Sequence, residues 1–323
     1  MLREHTARLP AGAVGRGAVT GTLRLGTRAS LLATTQSQHV ADAVAAASGR
    51  SVELVPITSE GDVLTGPLAQ MGGTGVFATA LRDALLRGEC DFLVHSMKDL
   101  PTAPYPGIVV GAVPVRASRR DILHSRDGLD LDELPAGARI GTGSPRRVAQ
   151  VRARRPDLVV DGIRGNVDSR LRKVADGQYD AIVLAEAGLR RIGRDAAITQ
   201  VLDWPTSAAQ GALAVEVRDG DTAVAEAVAL IEDGPTAHAA HLERAVLRRL
   251  EAGCAAPVAI DAVHLGDVVT LVAHVYAEDG SRSVVAERRL DPHADLDAVA
   301  AEVVAELLEG GAADLADLAG TSR

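Results

Sequence analysis

The chain of 323 residues carries 34 Lys and Arg against 43 Asp and Glu, a net charge of −9, and is 47% apolar and 24% charged. That composition belongs to a soluble globular protein of two or three domains with a sizeable core. Two cysteines without C-x-x-C spacing exclude a disulfide framework and a cysteine zinc site, and no apolar run approaches the ~18 residues of a helical membrane span. Residues 1–21, "MLREHTARLPAGAVGRGAVTG", lack the apolar stretch of a secretory signal, so a loose extension and a cytoplasmic location are expected.

The first half alternates strand and helix. "LRLGT" (Leu23–Thr27) reads as a strand, followed by a helix with Ser30 as N-cap and Gly49 just past its end. "SVELVPIT" alternates apolar and polar residues as a strand does. "GVFATALRDALLRG" is an amphipathic helix closed by Gly88, and "CDFLVHS" and "GIVVGAV" are strands. These units imply a mainly parallel sheet with helices on its faces. The pattern restarts with a strand at 138–141 and a helix near Ser144, with Pro145 in its first turn. Strands near 158–161 and 180–184 flank a helix near 167–175, and "ALAVEV" is one more strand. The last ~90 residues read as helix, three consecutive strands and a long helix from about Ala294, an α+β module. The expected division is 22–115 with 212–230, 118–208, and 234–323.

Charge is uneven along the chain. Between Arg139 and Arg194 stand 13 Arg and Lys against 6 Asp and Glu. An acidic chain with one basic segment predicts a local anion site, not a nucleic-acid coat. The six aromatic residues are scattered and offer no stacking platform for single strands.

Open α/β sheets bind ligands beyond the carboxyl ends of their strands. There the sequence places "GTRAS", "HSMKD", "GTGSPRR", "RGNVDSR" and "AEAGLRR", which supply Arg28, Ser30, Ser96, Lys98, Asp99, Ser144, Arg146, Arg147, Arg164, Arg170 and Arg191. Such a cleft suits a ligand with many carboxylates or phosphates, because Arg forks pair bidentately with those groups. Each signal has a plainer reading. A loop Arg is by default a solvated charge, and "RRPDL" (Arg154–Leu158) reads as a helix end and turn outside the site. "GTGSPRR" lacks P-loop spacing and its lysine. Lys98 stands out because Lys173 is the only other lysine. Asp99 could cap the turn before Pro101. His95 reads as structural and Cys90 as a buried, inert thiol. Cys254, in "RRLEAGCAAPVAI", is a structural loop cysteine or else a nucleophile or attachment point presented to the cleft.

"LRLGTRAS", "GGTGVF", "HSMKDLP", "GTGSPRR", "RRPDL", "RGNVDSRL", "YDAIVLAEAGLRR", "QGALAVE" and "LEAGCAAPV" stand in the order and spacing of the porphobilinogen deaminase (hydroxymethylbilane synthase) family, and the resemblance runs from Leu23 to about Leu318. It implies two α/β domains resembling periplasmic binding proteins around a cleft, plus a smaller α+β C-terminal domain. It also implies a dipyrromethane cofactor linked by thioether to Cys254. The implied reaction joins four porphobilinogen molecules, with loss of ammonia, into a linear tetrapyrrole that water releases. Asp99 matches the family's catalytic aspartate, which would assist departure of ammonia and stabilise positive charge on pyrrole nitrogens. Lys98, Ser96, Thr142, Ser144, Arg146, Arg147 and Arg170 would hold the cofactor. Arg28, Ser30, Arg164, Arg191 and Gln210 would hold substrate. No metal, nucleic acid or membrane partner is expected, and the chain is expected to be a monomer.

The sequence departs from the family pattern in places. Thr74 and Gln70 stand where lysine is common, Ala209 and Ala252 where glycine is typical, and "SLLAT" replaces Ser-Pro-Leu-Ala. Asp99 and Cys254 are spared. One rival is a non-catalytic anion-binding two-domain protein of periplasmic-binding type, which gives Cys254 no use. Another is a nucleic-acid binder built on the basic segment, where only Tyr179 would supply an aromatic ring.

Overall fold

A computed structural model describes residues 21–57, 75–251 and 256–318. Strand β1 (Leu23–Thr27) leads to helix α1 (Leu31–Ser48), β2 (Val52–Pro56), α2 (Gly75–Leu86) and β3 (Phe92–Ser96). A short 3-10 turn, Met97–Asp99, separates β3 from β4 (Ile108–Ala112). The next segment holds β5 (Asp121–Ser125), β6 (Arg139–Gly141), α3 (Pro145–Arg154), β7 (Val159–Asp161), α4 (Val167–Ala175), β8 (Ala181–Ala185), α5 (Glu186–Arg191) and β9 (Gln200–Leu202). Then come β10 (Leu213–Arg218), α6 (Thr222–Ala229), α7 (Gly234–Arg249), β11 (Val258–Leu265), β12 (Val268–Tyr276), β13 (Ser283–Leu290) and α8 (Leu296–Glu309).

Local chemistry explains the ends of α1. The Ser30 hydroxyl accepts from the Ala33 N–H at 3.4 Å, and Gly49 closes the helix at φ 71°. Leu31 occupies the first helical position, where a proline would also fit.

Two five-stranded sheets have the orders β2-β1-β3-β10-β4 and β7-β6-β8-β5-β9. They are mixed, not mainly parallel. Strand β1 pairs in parallel with β2 and β3, but β10 runs antiparallel to β3 and β4. In the second sheet β6 is parallel to β7 and β8, while β5 is antiparallel to β8 and β9. Each antiparallel strand is a crossing point. Strand β5 enters the second sheet directly from the first, and β10 brings the chain back. Strands β5 and β9 and helix α6 were not anticipated. The first strand opens on an aspartate, the second has three residues, and the third is a short alanine-rich helix between turns.

The two crossings run side by side, with Ala117 N–H donating to Gly211 O at 3.2 Å. Gly211 has φ 87°, and a Cβ there would lie 2.6 Å from the carbonyl oxygens of Ala117 and Ser118, so only glycine allows this approach.

Leu25, Phe92 and Val215 fill the core of the first sheet, and Leu123, Ile140 and Val183 that of the second. Each buried side chain of this size contributes about 1.5–3 kcal/mol. The third sheet, β11-β12-β13, is antiparallel throughout. Val269, Leu271, Ala273 and Val275 alternate inward along β12 and share a core with residues of α7 and α8. Glu243 of α7 joins this unit to both crossings. Its fully buried carboxylate accepts from Ala209 N–H (2.5 Å), Ala262 N–H (2.7 Å) and both terminal nitrogens of Arg116 (2.8 and 3.0 Å).

Candidate active site

The ends of β3 and β6 meet the start of β5 and the second crossing. The Gln210 side chain sits at the junction. Its Nε2 donates to Asp121 Oδ1 (2.8 Å) and Arg119 O (2.7 Å), while its Oε1 accepts from Lys98 Nζ (3.2 Å) and Arg147 Nη2 (3.4 Å). Gln210 thus connects the lysine of the first sheet with an arginine of the second.

Asp121 is fully buried and lies between the two arginines of "SPRR". Its Oδ2 accepts from Arg146 Nη1 (2.8 Å) and Trp204 Nε1 (3.0 Å), and its Oδ1 from Arg147 Nη2 (2.6 Å). Burial pushes the Asp121 carboxyl up, but the Arg146 and Arg147 guanidiniums outweigh it and hold the group well below the usual carboxylate range. Arg146 also reaches Gln150 Oε1 (2.7 Å) and Ser207 Oγ (3.3 Å), yet its Nη2 is buried with no hydrogen-bond partner.

Around this pair stand further cations. Burial lowers the Lys98 ammonium to about 8, and Arg147 and Arg146 add to the shift while Asp99 and Asp121 oppose it. Arg170 donates Nε to Gly165 O (2.8 Å), and burial, Arg147 and Arg164 all pull its guanidinium down. Arg191 donates to Gly211 O (2.7 Å), beside Gln210, and burial lowers it to about 10. Among the described residues neither Arg170 nor Arg191 pairs with a carboxylate. Arg164 is exposed in the turn after β7.

Asp99 ends the 3-10 turn, exposed, and its carboxylate accepts no hydrogen bond among the described residues, so it does not cap the turn before Pro101. Ser96 accepts from Gln36 Nε2 at 3.1 Å. Thr142 is buried and accepts from the Ser144 N–H at 3.2 Å, and the Ser144 hydroxyl makes no cap bond to α3. Arg28 and Ser30 follow β1 at the start of α1, and α1 packs against α5, which carries Arg191. Cys254, Ala252, Gln70 and Thr74 lie outside the described residues.

The bland readings of two other residues fit their surroundings. His95 Nε2 lies 3.2 Å from Glu216 Oε2, beneath the turn. Cys90 is fully buried, and burial pushes its thiol up to about 11. "RRPDL" is structural, with Arg155 holding Leu131 O and Leu134 O at 2.7 Å.

Sequence reasoning missed Asp121 and Trp204. The available signal was an aspartate opening the apolar run "DIL", the pattern of a buried acid that needs cations.

A family model described as "Porphobilinogen deaminase, dipyromethane cofactor binding domain" matches residues 23–226, and the family's C-terminal domain matches 237–309. The chain belongs to the porphobilinogen deaminase family. Porphobilinogen deaminase of Leifsonia xyli is 53% identical over 315 residues, covering 93% of this chain and 96% of that protein. That of Thermobifida fusca is 50% identical over 300 residues, covering 90% and 94%. Solved structures that resemble the chain include the BvgS VFT2 domain of Bordetella pertussis, 16% identical with a TM-score of 0.40 over 65% of this chain and 86% of that one. An ancestral arginine-binding protein is 19% identical with a TM-score of 0.36, covering 65% and 89%. Among the described residues no helix is long and apolar enough to cross a membrane.

The site fits the cofactor that gives the family's first domain its description. Among the described residues, the buried Arg146 and Arg147 and the half-buried Lys98, Arg170 and Arg191 outnumber the one buried carboxylate bonded to this cluster, Asp121, and the Arg146 Nη2 has no partner. Buried and half-buried cations in such excess suit a ligand that brings carboxylates.

Proposed function

We propose that the chain condenses four porphobilinogen molecules with one water into hydroxymethylbilane and four ammonia, on a dipyrromethane held in the cleft. The excess of buried and half-buried cations over carboxylates around Gln210 carries the reading. When bound, the dipyrromethane supplies the free pyrrole carbon from which the chain is extended. Lys98, Arg146, Arg147 and Arg170, with Ser96, Thr142 and Ser144, hold its carboxylates. Arg28, Ser30, Arg164, Arg191 and Gln210 orient the acetate and propionate of the incoming substrate. Each substrate brings two carboxylates, which is why the site needs several guanidiniums in place of one.

The exposed Asp99 carboxylate accepts no hydrogen bond among the described residues, so it is available to a substrate pyrrole N–H. There it stabilises the positive charge that develops as ammonia leaves, and it holds or returns the proton. Cys254 anchors the cofactor. Cys90, buried with a thiol raised to about 11, is no rival nucleophile. The reading takes the chain as a cytoplasmic monomer of three units, 22–115 with 212–230, 118–208 and 234–323, a division supported by membership of the three sheets. An anion-binding protein without turnover is disfavoured by the family and fits less well with an exposed, unbonded Asp99 carboxylate.

The test is incubation of purified chain with porphobilinogen. Four ammonia per linear tetrapyrrole are expected. Binding without ammonia release would refute the reading and favour the rival.

A further inference from the structure

Arg244 lies on α7, outside the cation cluster. Its Nη1 donates to Met97 O (3.0 Å) and Leu100 O (2.9 Å), and its Nη2 to Pro101 O (2.7 Å). These three carbonyls bracket the turn that carries Lys98 and Asp99. Among the described residues few other bonds restrain it, one being Lys98 Nζ to Gln210 Oε1 (3.2 Å). Met97 N–H donates to Ala212 O at 3.0 Å, Leu100 N–H to Met97 O at 3.3 Å, and Ser96 gives no side-chain cap. Arg244 pairs with no carboxylate among the described residues. Burial lowers its guanidinium to about 10, with Glu216 opposing and Arg82 adding to the shift. A planar fork can serve three carbonyls at once, which a lysine point charge cannot reproduce. The helix that bears Arg244 ends at Arg249, five residues before Cys254.

We propose that Arg244 is a positioning residue for the known reaction of the family. It fixes the backbone of the Met97–Asp99 turn so that the Asp99 carboxylate meets the reacting pyrrole. It also ties this turn to α7, the helix that precedes Cys254 in sequence. The proposal rests on the roles given above to Asp99 and Cys254. Arg244 itself touches neither substrate nor cofactor and acts through the carbonyls it holds.

The experiment uses full-length, cofactor-loaded protein: wild type, Arg244→Leu, Arg244→Lys, Asp99→Asn and the double variant Asp99→Asn with Arg244→Leu. Porphobilinogen consumption gives kcat and KM, and intact mass reports the cofactor. Misplacement of a reacting group by ~1 Å costs on the order of 100-fold. Arg244→Leu should therefore lose roughly 10- to 100-fold in kcat with KM within about threefold and cofactor retained. Arg244→Lys should recover part of the loss. In the Asp99→Asn background the same substitution should cost less than about threefold, because a residue acting through Asp99 has nothing left to act on. Wild-type kcat in Arg244→Leu, or losses that multiply in the double variant, would overturn the proposal alone. Where Arg244→Leu does not fold, Arg244→Lys decides: a kcat loss at unchanged KM supports the proposal, and an equal change in both parameters overturns it. A wild type that releases no ammonia refutes the functional reading and this proposal together.

Discussion

Replacing Asp121 by Asn keeps its shape and removes the one buried negative charge between Arg146 and Arg147. It also turns one acceptor oxygen into an amide that faces guanidinium donors. Arg146 and Arg147 are only 2% and 7% exposed, so neither regains its hydration when the charge is lost. Removing one partner of a buried pair costs about 3–5 kcal/mol. At about 2–4 °C per kcal/mol for a large domain, the unfolding midpoint should fall by on the order of 10 °C. Circular dichroism melts and urea titrations measure this. The loss should be larger in a cofactor-free Cys254→Ser background than in loaded protein, where ligand carboxylates supply replacement anions. A loss below about 1 kcal/mol in both backgrounds, small for a buried charge, would show that Asp121 does not balance this pair.

Asp99→Asn should leave stability within about 0.5 kcal/mol, since the side chain is exposed and unbonded. It should slow ammonia release by about 10²–10⁴-fold; activity within a fewfold of wild type would assign the role elsewhere. Glu216 carries the pH prediction. Burial pushes its carboxyl up, but His95 and Arg82 hold it down at about 2. A depressed acid stabilises the fold above its unfolded value and loses that contribution as pH falls from about 4.5 toward 2. Glu216→Gln should flatten the stability curve in that window, and an unchanged slope there would remove Glu216 from the acid response.

The parts of the fold legible in sequence were those set by local chemistry. The Ser30 cap, the Gly49 stop and the inward alternation along β12 each depend on neighbours within a turn or a strand. The rim at which Lys98, Arg147 and Gln210 meet was legible for a topological reason, since β3 and β6, strands of βα units, both end there. The partners within the site were not. Asp121 precedes Arg146 by 25 residues and opens a strand that resembles a loop in sequence. Arg244 meets Met97 across 147 residues. Ala209 shows why the family's usual glycine was a sound expectation. It adopts φ 59°, held by its N–H bond to Glu243, and tertiary contacts there override local preference.

A cofactor anchored through one cysteine adds its mass to the polypeptide, and intact-protein mass spectrometry reads that increment. Wild type, Cys90→Ser and Cys254→Ser are expressed in cells that make porphobilinogen and weighed without denaturing labels. Wild type and Cys90→Ser should exceed the polypeptide mass by one dipyrromethane, and Cys254→Ser should show the bare polypeptide. An active wild type at the bare mass, or an adduct that survives in Cys254→Ser, would show that Cys254 does not anchor a catalytic cofactor.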